Sequence, residues 1–236
     1  MKPWLLFAAL AVPVVAEPAQ FTSGPARVAL VELFTSEGCS SCPPAEKWLG
    51  ELRDAPGLWR EFVPVAFHVD YWNRLGWPDR FATRAFTQRQ YDHAAAWGTG
   101  SVYTPCFVRD GAEWRPATSK ITAAKNPAAG ALTATYDGTV LRATFDPVAR
   151  GAGENFEIHA ALLGAAIVSK ITRGENSGAT LRHDFVALAV VRGAPATDLA
   201  LTAPKIPGVP RHALAVWVTR KGELTPLQAT GGWLAP

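Results

Sequence analysis

The sequence predicts an α/β domain followed by an antiparallel, sandwich-like β-rich region. Three observations predict it. Between residues 28 and 125, apolar strand-like runs alternate with helical patterns in the order β-α-β-α-β-β, which builds a small sheet covered by helices. After Gly130 the helical patterns stop, and short strand-like runs follow, separated by Gly, Pro, Asn and Asp. Hydrophobic residues make up 48% of the 236-residue chain and charged residues 18%, enough apolar surface for a real core and too little charge for a disordered chain.

The elements follow in order. Lys2 and the apolar stretch Trp4 to Val15 read as an export signal, with Ala16 a suitable small residue for cleavage, so residues 1–16 are assigned as a signal peptide. The stretch is short for a transmembrane helix, and no other segment reaches membrane-spanning length. A soluble protein, periplasmic or secreted, is expected. Phe21 to Pro25 reads as a polar lead-in. Val28 to Phe34 is a continuous apolar run that suits a strand covered on both faces. Thr35 to Gly38 is a turn. Ala45 to Leu52 is helical in pattern, with Trp48, Leu49 and Leu52 on one face and Pro56-Gly57 as its end. Phe62 to Val69 is a second buried-type strand, residues 71–80 are a loop, and Phe81 to Trp97 is a helix stopped by Gly98. Val102 to Val108 is a third strand interrupted by Pro105. Asp110-Gly111 signals a hairpin, with a return strand around Trp114 and a short helix at 119–125. In the second region, strands are expected at 132–136, 140–145, 156–163, 167–171, 181–191, 199–202, 213–219 and 224–229. Two units result, 26–127 and 131–236, the first with a helical insertion at about 71–100.

The chemistry centres on Cys39-Ser40-Ser41-Cys42. Outside the cytosol a disulfide can form and persist. Cys39 stands just before a helix and Cys42 near its first turn, where Pro43 and Pro44 are tolerated because first-turn N–H groups have no intrahelical partner. A helix N-terminus favours the thiolate, the nucleophilic form. The spacing lets the sulfurs bond to each other, so Cys39 can attack a partner disulfide and Cys42 can resolve the mixed disulfide. A half zinc site or a purely structural bridge is the alternative, but no second C-x-x-C exists and zinc takes four ligands. The strand–turn–CxxC–helix order is that of a thioredoxin-like domain. In such domains a cis-proline loop faces the dithiol, and Thr104-Pro105 stands at the expected place.

Other candidates surround this motif. Glu32 is a carboxylate in an apolar strand, and burial would raise its pKa and suit it to relay a proton to Cys42; a structural ion pair is the alternative. Cys106 follows Pro105 and is either a third thiol near the dithiol or a buried strand cysteine. His68 and Asp70 end the second strand, where they could tune the thiols, or His68 could bind a metal; a packed histidine is the plainer reading. Trp72 and Trp77 belong to a crowd of aromatics that form a lid core or line a groove for a polypeptide. No metal-ligand set and no organic cofactor is expected. The basic residues are scattered with no long run, which speaks against nucleic acid and against a polybasic membrane patch.

The run Val31-Glu32-Leu33-Phe34-Thr35-Ser36-Glu37-Gly38-Cys39-Ser40-Ser41-Cys42-Pro43-Pro44-Ala45 resembles the hallmark of a family of secreted bacterial thioredoxin-like proteins catalogued as a domain of unknown function. Phe67 to Trp72, Leu75-Gly76-Trp77, Phe86 to Gln90, Val102 to Pro105 and Gly174 to Gly178 resemble its other blocks. The resemblance implies a thioredoxin-like fold with a helical insertion and a β-rich C-terminal part, and no known reaction. Where this chain has Cys106, the family commonly has Gln. The functional expectation is an exported thiol–disulfide oxidoreductase acting on protein thiols or disulfides, recycled by an unidentified redox partner. The rivals are a Cu(I) or other soft-metal carrier using Cys39, Cys42 and Cys106, and a binding module with a structural disulfide.

Overall fold

The computed structural model describes residues 17–116, 127–149, 151 and 154–235. The expected signal peptide and the short helix expected at 119–125 lie outside the described residues. No helix among the described residues is long and apolar enough to cross a membrane.

Among the described residues, two α-helices and fourteen strands form a mixed α/β structure. The first part holds β1 (Ala19–Thr22), β2 (Ala29–Thr35), α1 (Pro43–Glu51), β3 (Phe62–His68), α2 (Arg84–Ala96), β4 (Cys106–Arg109) and β5 (Ala112–Trp114). The rest is β6 (Gly130–Tyr136), β7 (Val140–Pro147), β8 (Phe156–Ala165), β9 (Ile167–Lys170), β10 (Thr180–His183), β11 (Val186–Gly193), β12 (Leu199–Ala200), β13 (Arg211–Arg220) and β14 (Pro226–Trp233). β2 and β3 are buried at every position, as expected for strands without a solvent face. β6 and β7 instead alternate buried and more open positions, the pattern of strands covered on one side.

One eight-stranded sheet runs in the order β14-β13-β8-β11-β3-β2-β4-β5. β2 and β3 are parallel, with Leu33 opposite Ala66, and α1 is their crossover. β4 returns antiparallel to β2, and Asp110-Gly111, both at positive φ, make the tight turn into β5. The expected division into units 26–127 and 131–236 is not a break in this sheet. β11 lies beside β3, the amide of Ala66 donating to the Phe185 carbonyl at 2.8 Å. The physical reason is that the far edge of β3 is buried and its backbone groups need partners, which β11 supplies.

A second sheet, β1-β6-β7-β12, covers one face of the large sheet. Leu132, Leu141 and Phe145 from it pack with Ile158, Leu162, Leu214 and Val216 from β8 and β13. This is the sandwich expected after Gly130, built on the continuous sheet. The supposed lead-in at 21–25 is partly β1, paired with β6. The opposite face of the large sheet packs in the main core with Phe34, Phe67, Phe185 and Trp217.

Local signals explain the helix bounds. α2 starts at Arg84 rather than Phe81 because Thr83 caps it, its hydroxyl accepting from the Phe86 amide. Gly98, at φ +70°, follows its end. The expected strand 181–191 is two strands, because Phe185 adopts φ +60° between β10 and β11.

Candidate active site at the start of helix α1

Cys39 and Cys42 are joined by a disulfide, with Cα atoms 5.4 Å apart. Cys42 is the N-cap of α1, and its carbonyl accepts from the amides of Ala45 and Glu46. Pro43 and Pro44 occupy the first helical positions and carry no N–H. Any favour the helix shows a thiolate here therefore comes from its macrodipole rather than from first-turn donors. β2 delivers the chain to this point, and the bend through Ser36 is closed by the Cys39 amide donating to the Ser36 carbonyl at 3.1 Å.

The Thr104–Pro105 peptide bond is cis. Its loop meets the disulfide motif through Ser41, whose hydroxyl lies 3.5 Å from the Thr104 carbonyl oxygen and 3.4 Å from the Cys39 sulfur. Trp72 borders the same place: its indole N–H donates to the Thr104 hydroxyl at 2.8 Å. A Cβ on Gly38 would sit 3.1 Å from the Trp72 Cβ, so only a glycine leaves that approach free. Trp77 donates its indole N–H to Glu37 at 2.8 Å. Both tryptophans are half-buried.

Sequence reasoning did not foresee what covers the sulfurs. Cys39 and Cys42 are both 0% exposed. The turn Gly174 to Gly178 lies over the motif: the Asn176 side-chain amide donates to the carbonyls of Glu37 (2.8 Å) and Cys39 (3.0 Å), and the Ser40 amide donates to Glu175 (3.1 Å). The same turn rests on Trp77 through Gly174. The distance in sequence hides this contact, although the Gly-Glu-Asn-Ser-Gly block was one of the segments that stood out.

Glu32 is held in ion pairs with Arg89 and His93. It is 1% exposed, and burial alone would raise its pKa. The Arg89 guanidinium, which grips one carboxylate oxygen through Nε at 2.7 Å and also through Nη2, and His93, 3.0 Å from the other, outweigh burial. They lower its pKa to about 2, so Glu32 stays a carboxylate and is a structural ion-pair partner. The signal missed was Arg89 and His93 four apart on α2, hence on one helix face.

Cys106 is a buried thiol in β4, opposite Phe34, and burial raises its pKa to about 11. The three cysteines do not form a ligand cluster. Among the described residues, the group of three or more His, Cys, Asp or Glu side chains with converging ligand atoms is Glu46, His68 and His183. The Asp70 carboxylate accepts from the Thr87 hydroxyl at 2.6 Å and ties the end of β3 to the first turn of α2.

His68 is 0% exposed and belongs to a polar cluster beneath α1. Its Nδ1 lies 2.7 Å from Asp79. His183, from β10, meets Glu46 of α1 through Nδ1 and stands 3.2 Å from Glu37 through Nε2. Burial lowers the pKa of His183, but Glu46 and Glu37 outweigh it and raise it to about 10. For His68 burial likewise lowers the value, and Asp79 more than reverses it, so the net shift is upward. Burial raises the pKa of Glu46, and His183 turns the net shift downward.

Comparison with known proteins gives one family and a shared fold. A family model described as a protein of unknown function (DUF1223) matches residues 30–219. Among solved structures, the protein AGR_C_4864 from Agrobacterium tumefaciens is 22% identical, with a TM-score of 0.56 over 89% of this chain and 94% of that one. HBP35 of Porphyromonas gingivalis is 11% identical, with a TM-score of 0.56 over 90% of this chain and 76% of that one. No curated protein matches.

Proposed function

This chain belongs to the DUF1223 family, and on that premise we propose that it is an exported thiol–disulfide oxidoreductase built on a thioredoxin-like domain. The observation that carries the reading is the Cys39–Cys42 disulfide at the start of α1, touched through Ser41 by the cis Thr104–Pro105 loop. Supporting it, β3-β2-β4-β5 with α1 and α2 is the strand and helix order that a thioredoxin-like domain needs. Export rests on the signal-like residues 1–16.

From the oxidised form, a substrate thiolate attacks the Cys39 sulfur. A bond forms between the substrate sulfur and Cys39, the Cys39–Cys42 bond breaks, and Cys42 leaves as a thiolate at the dipole of α1. A second substrate thiolate then attacks the substrate sulfur of the mixed disulfide and releases Cys39 as a thiolate. The substrate has lost two electrons and two protons, and the dithiol has gained them. The reverse sequence reduces a substrate disulfide, with Cys42 as the resolving thiolate. Trp72 and Trp77 offer aromatic edges to a polypeptide at this place. A redox partner resets the pair in either direction.

A second reading, a bridge that braces the loop without turning over, is favoured by the burial of both cysteines under the turn 174–178. Equilibration with glutathione redox buffers separates the two. An oxidoreductase has a Cys39/Cys42 potential between about −270 and −120 mV, and a structural bridge lies below about −300 mV. Cys42→Ser should also accumulate mixed disulfides with disulfide-containing polypeptides, Cys39 attacking and one substrate thiolate leaving, and Cys39→Ser should not. A potential below the window, with no mixed disulfide in Cys42→Ser, overturns the enzymatic reading.

A further inference from the structure

We infer that His68, His183 and Glu46 form a binding site for one divalent transition-metal ion of the zinc type, beneath the helix that carries Cys42. This inference does not rest on the redox reading of the cysteines.

The three side chains come from β3, β10 and α1, and their ligand atoms lie within 4.8 Å of one another. His68 is 0%, His183 1% and Glu46 7% exposed. The second observation is a buried atom without a partner. His68 Nε2 makes no hydrogen bond, although the ring is buried and its Nδ1 is held by Asp79 at 2.7 Å. With Nδ1 held by Asp79, Nε2 is the ring atom left without a partner, and it becomes a ligand when its proton is lost to metal binding. A metal ion satisfies it. A carboxylate on the far ring nitrogen is the usual companion of a metal-ligating histidine, because it fixes the tautomer and raises basicity.

His183 repeats the arrangement. Its Nε2 stands 3.2 Å from Glu37, whose other oxygen is held by the Trp77 indole N–H at 2.8 Å. Nε2 is at ion-pair distance from Glu37 but makes no hydrogen bond, and Nδ1, the nitrogen nearer Glu46, is the ligand atom once its proton is lost. One oxygen of Glu46 accepts from the Thr35 hydroxyl at 2.7 Å, and the other is the one that meets His183 Nδ1, so an ion bound here takes the place of that contact. Two imidazoles and one carboxylate are a ligand set that suits zinc and leaves a fourth position open. Without a metal, the three carboxylates here are partnered by the two histidines, and a cation takes over that charge balance when the histidines give up their protons. A groove of about 430 Å³ between α1 and β10, lined by Glu46, Lys47, Gly50 and Arg182, reaches the Glu46 side of the cluster.

The test uses the full chain in its oxidised form, in which Cys39 and Cys42 offer no thiolate. Metal-depleted protein is titrated with Zn²⁺ by calorimetry, and Co²⁺ is added separately for spectroscopy. One equivalent should bind. The Co²⁺ complex should show ligand-field bands of a nitrogen–oxygen set without a thiolate charge-transfer band. His68→Gln and His183→Gln should each lose the stoichiometric binding. Asp79→Asn keeps all three ligands and should weaken binding by roughly 10- to 100-fold. Cys106→Ser should leave binding unchanged. If the histidine variants fail to fold, the wild-type Co²⁺ spectrum and Asp79→Asn still decide. No stoichiometric uptake by the wild type, a thiolate band, or Asp79→Asn binding as tightly as wild type overturns the inference.

Discussion

Asn176→Ala should make the Cys39–Cys42 disulfide easier to reach. The Asn176 amide is the donor in two hydrogen bonds that fasten the turn 174–178 over the motif, to the carbonyls of Glu37 and Cys39. The sulfurs are fully buried, so a reductant acts on molecules in which the structure around them has opened, and this turn is the part held by the Asn176 bonds. Each net hydrogen bond contributes about 0.5–1.5 kcal/mol, so losing both destabilises the closed turn by roughly 1–3 kcal/mol. At about 1.4 kcal/mol per tenfold, the open fraction rises by roughly 5- to 140-fold. The lower half of that range is expected, because Asn176 is itself partly exposed and water replaces some of what is lost. The assay is the rate at which dilute dithiothreitol reduces the disulfide, read by alkylation and mass spectrometry. Cys106 serves as an internal control, since it becomes reactive only when β4 opens. A rate within twofold of wild type, or a rise matched by equal labelling of Cys106, refutes the idea that this turn gates the sulfurs.

Acid should destabilise the fold through Glu32. Its folded pKa, about 2, is below the unfolded 4.5, so its stabilising effect is complete above pH 4.5 and is lost as pH falls towards 2. At about 1.36 kcal/mol per pH unit the difference is roughly 3 kcal/mol, and urea melts from pH 7 to pH 2.5 should show a loss of that order which Glu32→Gln lacks. His159 adds to the same trend. Burial, with Arg89 and Arg192 next, lowers its pKa to about 4, so protons favour the unfolded chain as pH falls from 6.5 to 4. His159→Gln should flatten that part of the profile. Arg89→Met should cost about 3–5 kcal/mol in the same melts, since it strands a buried carboxylate; a loss under 1 kcal/mol would contradict the pairing described for Glu32. Cys106, with a pKa near 11, should resist iodoacetamide at pH 8 in the native protein and react once it is unfolded. Rapid native labelling would show that it is neither buried nor protonated.

Much of the α/β half could be read from the sequence because its signals are local. Thr35 to Pro44 carries a strand end, a turn, the two cysteines and a proline-tolerant first helical turn within ten residues. The Asp110-Gly111 hairpin needs only two residues, both at positive φ in the structure. Contacts across long separations were not legible. Nothing near Ala66 announces that Val186 pairs with it, so the sequence suggested two units where one sheet runs through. β1 was missed because Ala19 to Thr22 is too short to show alternation; it is a strand because β6 lies beside it. At the site, Glu32 stood out as a buried carboxylate, yet its sign depends on Arg89 and His93, which arrive 57 and 61 residues later. The Glu46, His68 and His183 cluster has no motif at all, because its members come from three separate elements.

The covering of Cys39 has a consequence in time as well as in space. Asn176, which closes over its carbonyl, is made 137 residues later. At about 5–20 residues per second, the ribosome needs roughly 7 to 27 seconds to cover that interval. Throughout it neither the turn nor β11 is present to complete the structure around the two thiols. For an exported chain the cytosol keeps those thiols reduced, so the bond is made where the chain finally folds, and later exchange has to pass a door that closes with the fold.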